Sequence, residues 1–224
     1  MADTSSGNRV SIMRLILIPS VISLAITLIR LVGELQEWPS ALFNKQPGGA
    51  GSIIGITWLA PIFGVYFALK LAGAGEGPDD RGRAIRLSII GLALMVGGLI
   101  AIFAKFSFPG KEAIGLLLIV AAVAFQYAAW PKLFKTLLAY AYAARIPVAI
   151  LMFFAIRGNW GTHYDLVRPD FNVTESFWPR YFQIAVLPQM ILWIAFTIVT
   201  GSLFGSIAAA ISRRRKPAVN TANA

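Results

Sequence analysis

The sequence contains no cysteine and only one histidine, His163. Without cysteine there are no disulfides, no thiolate metal sites and no cysteine nucleophile. With one histidine and no HExxH motif, the usual zinc-enzyme arrangements are excluded as well. The chain also lacks a Walker loop and the strained serine turn of the α/β-hydrolases. We therefore predict no catalytic residue, no metal site and no cofactor.

Charged residues are scarce too. They make up 13% of the 224 residues, below the share of about 25% in a soluble domain, whereas 57% are hydrophobic. The apolar residues form long runs, and about 18 or more can cross a bilayer as a helix. Because these runs lack the period-two alternation of barrel strands, we expect an all-α polytopic membrane protein with six transmembrane helices. The predicted spans are residues 11–35, 52–73, 84–104, 112–130, 133–156 and 181–211, between tails 1–10 and 212–224.

The net charge of +10 comes from basic residues at the ends of the apolar runs. This pattern does not favour binding to nucleic acid. Basic residues collect on the cytoplasmic side of membrane proteins, and a cytoplasmic N-terminus gives that side the larger number of them. We predict an integral protein of the plasma or inner membrane, with both termini cytoplasmic and the lipid bilayer as its first partner. The C-terminal tail then holds the basic cluster Arg213, Arg214, Arg215 and Lys216.

Arg145 lies within the fifth predicted span. Counted from Lys135 at about 1.5 Å per residue, it is about 15 Å deep in a hydrocarbon layer about 30 Å thick. An arginine there costs about 2.5–3.5 kcal/mol, so it should face protein or water and find acceptors. Two interpretations stay open. The guanidinium either satisfies backbone freed by Pro147, together with Tyr142 and Gln126, or it forms part of a ligand or ion site.

Arg30 and Glu34 stand one helical turn apart near the outer end of the first span. Their spacing indicates a local ion pair. Glu34 lies about 15 Å closer to the outer surface than Arg145, so we expect no direct ion pair between these two. We predict a polar pocket in the outer half of the bundle. Its predicted ligand-binding residues are Arg30, Glu34, Gln126, Tyr142 and Arg145.

The predicted outer loop at residues 157–181 is long and rich in aromatic residues. Loops of this length are usually functional or disordered, and the aromatic side chains argue for order. We expect a cap over the outer mouth of the bundle, with an aromatic belt at the helix ends as the alternative. Its histidine is expected to be a satisfied structural residue rather than a metal ligand or general base. The predicted cap residues are Trp160, His163, Tyr164, Asp165, Arg168 and Asp170.

Small residues recur at the spacing of close helix contacts. Gly201 and Gly205 form a GxxxG step in the sixth span, and Gly51 with Gly55 forms another at the start of the second. These residues are predicted to allow helix packing within the chain, with a dimer interface as the alternative.

Three functions remain open from the sequence. The first expectation is a non-enzymatic accessory or assembly component, with a membrane-protein partner or a second copy of the chain. The alternative is a small transporter or channel for an anionic or polar solute, in which Arg145 holds the ligand. The second alternative is an enzyme acting on lipid headgroups, with His163 as general base and Asp165 orienting it.

Overall fold

A computed structural model describes residues 10–49, 52–103, 108–169 and 172–212. The protein is all-α: 77% of it is helical, and the described residues include no strand. Six of the helices in these ranges are long and apolar enough to cross a membrane, which confirms the predicted helix count. They are α1 (Ile12–Leu35), α2 (Leu59–Gly73, preceded by a 3₁₀ turn at Ile56–Trp58), α3 (Arg81–Phe103), α4 (Lys111–Ala129), α5 (Pro131–Gly158) and α6 (Phe177–Ser212).

Two helix boundaries differ from the predicted spans for local reasons. The second helix starts later than residue 52, because the backbone of Gly55 is fully extended and a 3₁₀ turn intervenes before Leu59. The sixth starts earlier, at Phe177, after an extended Ser176. Pro179 sits in its first turn, where a missing N–H costs no helical hydrogen bond.

The second half of α6 is the centre of the bundle and packs against α2, α3, α4 and α5, while α1 lies mainly on α5. Glycine makes the contact between α2 and α6 close. A Cβ added at Gly64 would overlap the backbone of Gly201, and one added at Gly205 would overlap the backbone of Gly64. Gly201 and Gly205 therefore pack helices together within this chain.

The outward faces of all six helices are apolar. Each carries a large hydrophobic side chain that is about half exposed or more, namely Leu17, Ile62, Ile89, Leu117, Ile150 and Phe204. Exposed apolar side chains on every helix are what a surface in contact with lipid tails requires.

The two ends of the bundle are built differently. At the N-terminal end, Glu76 holds three segments together: its side chain accepts from the Val10 N–H at 2.9 Å and pairs with Lys132 at 2.9 Å, and its carbonyl accepts from Trp130 Nε1 at 2.9 Å. The opposite end, here the cavity end, carries a first loop, residues 36–49 and 52–55, and a second loop, residues 159–169 and 172–176. These two loops enclose a space. Tyr164 of the second loop packs in a small apolar cluster with Val148 and Met152 of α5.

Candidate functional site

A cavity of about 210 Å³ opens in the cavity end of the bundle. Its walls come from the later half of α1, both loops of this end, the later half of α5 and the first half of α6. Within the described part of the chain it does not continue through the bundle, because every residue that lines it belongs to this end. It is therefore a blind pocket with a polar floor and a partly apolar wall.

Arg145 forms the floor of this pocket. Its side chain projects from α5, only 5% of the residue is exposed, and Nη1 donates to Gln189 Oε1 at 3.3 Å. The guanidinium carbon lies 4.5 Å from the centre of the Trp193 ring, a cation–π distance. Among the described ranges no carboxylate forms an ion pair with Arg145. The pocket thus contains a positive charge that no described carboxylate compensates.

The irregular first half of α6 positions both partners of Arg145. Residues Phe182–Val186 and Pro188–Leu192 form π-helical turns, with i→i+5 hydrogen bonding, before the regular helix resumes at Trp193. Pro188 has no N–H to give to an α-helical ladder, and π turns are frequent at functional sites. Gln189 lies in the second π turn, where its Nε2 also donates to Met152 Sδ at 3.6 Å.

A second charged group, made of Arg30, Glu34 and His163, lies beside the pocket. Arg30 Nε donates to Glu34 Oε1 at 2.8 Å, as the sequence spacing predicted. His163 binds the same carboxylate twice, through its backbone N–H to Oε2 at 2.9 Å and through Nδ1 to Oε1 at 2.5 Å. Glu34 is fully buried, so one carboxylate ties α1 to the second loop. Arg30 and His163 both line the pocket, whereas Glu34 stands behind them.

The first loop completes the surroundings of Arg30. Nη2 of Arg30 donates to the carbonyls of Asn44 at 3.2 Å and Gly49 at 3.4 Å. Gly49 has φ +75°, and a Cβ there would lie 3.1 Å from Arg30 Nη1 and from the His163 ring. Gly55 was predicted to pack helices, but it lies at the pocket, where an added Cβ would be 3.0 Å from Arg30 Nη1. Gly51, its predicted partner, lies outside the described residues.

Within the second loop, Asp165 closes a local turn. This carboxylate accepts hydrogen bonds from the backbone N–H of Gly161 and from the N–H and hydroxyl of Thr162, all within 2.9 Å. Tyr164, adjacent to it, donates to the Thr27 carbonyl on α1 at 3.2 Å. Since Asp165 is occupied by its own turn, the residue that orients His163 is Glu34.

Burial shapes the acid–base behaviour of this loop. It lowers the pKa of His163 below its ordinary value of 6.5, the hydrogen bond to Glu34 opposes this, and the positive charge of Arg30 reinforces it. Burial also raises the pKa of Tyr164. At neutral pH both side chains are therefore uncharged, and the positive charges at the pocket come from arginine.

Several predicted residues do not join the site. Gln126 is buried between α4 and α3, where Nε2 donates to the Ala122 carbonyl at 3.2 Å beside Gly91. Tyr142 is 42% exposed on α5. Neither lines the pocket. Arg145 faces α6, so it does not meet Gln126 on α4.

The predicted cap residues also include some that line the pocket and some that do not. His163, Tyr164 and Arg168 line the pocket, and Asp165 supports the turn that holds the first two. Trp160 instead packs against Gly158 at the end of α5. Asp170 lies outside the described residues.

The pocket residues that were not predicted include Gln189, Trp193 and Thr27. Gln189 is a polar residue after a proline inside an apolar run, which is the combination that marks interrupted membrane helices. Trp193 and Thr27 carry no such mark. Only the packing of α1, α5 and α6 brings these side chains to one pocket.

Comparisons with protein-family models, with curated proteins and with solved structures gave no match. The pocket presents a guanidinium that pairs with no carboxylate of the described residues, together with polar side chains, and this arrangement is suited to holding an anion.

Proposed function

We propose that this protein is a multi-pass membrane transporter that binds a small anionic solute in the pocket at the cavity end. The observation that carries this proposal is Arg145, which is buried in a pocket and has no carboxylate partner among the described residues. An arginine within a membrane span is costly, at about 2.5–3.5 kcal/mol. A purely structural arginine would be expected to have its charge neutralised, whereas this one meets a neutral amide and an indole ring.

A carrier fits the pocket better than the other functions considered. The pocket is blind, which favours a carrier over an open channel. The accessory-component interpretation relied on small-residue faces for other helices, and Gly201 and Gly205 already pack against α2 or α5 within the chain. The enzyme interpretation relied on Asp165 to orient His163, and Asp165 is bound instead to its own turn.

The proposal also specifies the orientation of the protein in its membrane. We place both termini in the cytoplasm of a plasma or inner membrane, so that the pocket opens to the outside. Supporting this, the first turns of α3 and α5 at the N-terminal end carry basic residues, as expected for a cytoplasmic surface: Arg81, Arg83, Arg86, Lys132 and Lys135.

The test is charge movement by the purified full chain in phosphatidylcholine vesicles on a solid-supported membrane. Concentration jumps of sodium acetate, chloride and phosphate serve as probes. At least one anion should produce a current that Arg145→Gln abolishes. The matched control is Arg157→Gln, which removes an exposed arginine from the same helix, outside the pocket. The proposal fails if no anion gives a current, or if the two variants behave alike.

A further inference from the structure

The wall of the pocket restricts the choice of solute more than its floor does. Apolar side chains from four segments line the pocket: Ile56, Val148, Met152, Leu166, Ile184 and Trp193. A small inorganic anion would leave these side chains facing water. A solute with an apolar body would cover them, and each buried CH₂ contributes about 0.8 kcal/mol.

The charge of the pocket selects the charge of the solute. Arg30 is neutralised by Glu34 at 2.8 Å, and burial keeps His163 neutral by lowering its pKa. Arg168 lines the pocket from the second loop, and Arg145 supplies the charge at the floor, where no described carboxylate pairs with it. A monoanion balances the charge of Arg145, while a dianion would bring a second negative charge to a floor that holds one guanidinium beside apolar side chains.

The shape of the guanidinium selects the anionic group. Nη1 of Arg145 is bonded to Gln189, and the remaining N–H groups of the planar fork suit the two oxygens of a carboxylate. The size of the pocket limits the rest of the molecule. Its volume of about 210 Å³ is somewhat larger than the cavity of about 150 Å³ that holds one benzene molecule, so an acid of about five carbons fits.

We infer that the solute is a short-chain monocarboxylate, with its carboxylate on Arg145 and its apolar chain against Val148, Met152 and Ile184. This inference rests on the proposed function and narrows it to one substrate class. A free short acid and a membrane fatty acid present the same headgroup, and chain length separates these two sources.

Binding to the full chain in phosphatidylcholine nanodiscs tests the inference. Calorimetry would compare straight-chain carboxylates from acetate to decanoate, the amide of pentanoic acid, and inorganic phosphate. Affinity should rise about fourfold per methylene, as expected from about 0.8 kcal/mol for each, reach a maximum near five carbons and then fall. Pentanamide should bind at least tenfold more weakly than pentanoate.

Two variants connect the binding to the residues. Arg145→Lys keeps the charge but removes the fork, and should weaken pentanoate binding at least tenfold while Arg157→Lys leaves it unchanged. Ile184→Ala should shift the best-binding chain length upward by about one carbon. It removes part of the apolar wall and so enlarges the pocket, while the charge of Arg145 is unchanged. If the Arg145 variant does not fold, the Ile184 variant still tests the inference.

The outcomes separate the inference from the proposed function. Phosphate or chloride binding that depends on Arg145, with no rise along the carboxylate series, overturns the inference and leaves the anion transporter in place. Affinity that keeps rising to decanoate also overturns it, in favour of a fatty acid. The absence of any Arg145-dependent anion binding overturns both.

Discussion

At the scale of single residues, the most consequential side chain after Arg145 is Glu34. It is fully buried and receives hydrogen bonds from Arg30 and from two groups of His163. A buried carboxylate with three donors connects helix α1 to the second loop through one charge. Removing that charge affects both partners, because neither has a second carboxylate partner in the described part of the chain.

Glu34→Gln is expected to lower the free energy of unfolding by about 2–3 kcal/mol. Breaking a wholly buried pair costs about 3–5 kcal/mol, and here the carbonyls of Asn44 and Gly49 still accept from Arg30. Reversible unfolding in mixed detergent micelles measures the change. The matched control is Glu37→Gln, which breaks the exposed pair with Lys45 at 3.4 Å and should change the value by less than about 1 kcal/mol. Equal effects would contradict the structural role of Glu34.

His163 should make stability depend on pH. Its folded pKa is lowered by burial, so the unfolded chain takes up the proton first, at about 6.5. This contribution to stability is present above that value and is lost as the pH falls below it, toward the folded pKa. The melting temperature should therefore decrease as pH is lowered from 7.5 to 5. His163→Gln should reduce this slope, and an unchanged slope would show that another group is responsible.

At the scale of elements, the contact between α2 and α6 is set by glycine. The backbones approach so closely that Gly64 leaves no room for a methyl group, whereas a Cβ added at Gly73 on the same helix meets nothing within 4 Å. One helix thus supplies both a test position and its control.

Gly64→Ala is expected to destabilise the protein by about 1–3 kcal/mol, because an overpacked contact must separate the helices. Gly73→Ala should leave stability unchanged or slightly higher, since alanine is the better helix former. Thermal unfolding in detergent compares the two variants. If both substitutions were neutral, the described packing of α2 on α6 would be wrong.

Prediction from sequence succeeded for elements and was incomplete for contacts. Six helices follow from long apolar runs, and the Arg30–Glu34 pair follows from its four-residue spacing. The contact of His163 with Glu34 joins residues 129 positions apart, and no local pattern encodes it. The predicted partners of Arg145 were backbone carbonyls and Tyr142 on α5 and Gln126 on α4, because the sequence does not say which helix its side chain faces. The π turns around Pro188 were also out of reach, since a proline predicts an interruption but not its geometry.

At the scale of the whole molecule, the two ends of the bundle have opposite characters. Glu76 closes the N-terminal end by joining its own loop to Val10 and to the turn at Trp130 and Lys132, while the other end holds the pocket. A transporter that takes its solute from outside requires the pocket end to face outward.

Sidedness is directly measurable because the chain has no cysteine. Thr174→Cys lies in the second loop at the cavity end, and Asp79→Cys lies in the loop at the N-terminal end. In intact cells a membrane-impermeant maleimide should label the first variant and not the second, and both should react after the membrane is opened. The reverse pattern would invert the proposed orientation.

The position of Arg145 also has a consequence for how the protein is made. Its hydrogen-bond partner Gln189 and its cation–π partner Trp193 belong to the helix that follows it in the chain. During synthesis α5 leaves the ribosome before α6 does, and without those partners an arginine in lipid costs about 2.5–3.5 kcal/mol. Secure insertion of α5 therefore depends on the arrival of α6, and a nascent chain that stops before Gln189 should hold its fifth helix in the membrane poorly.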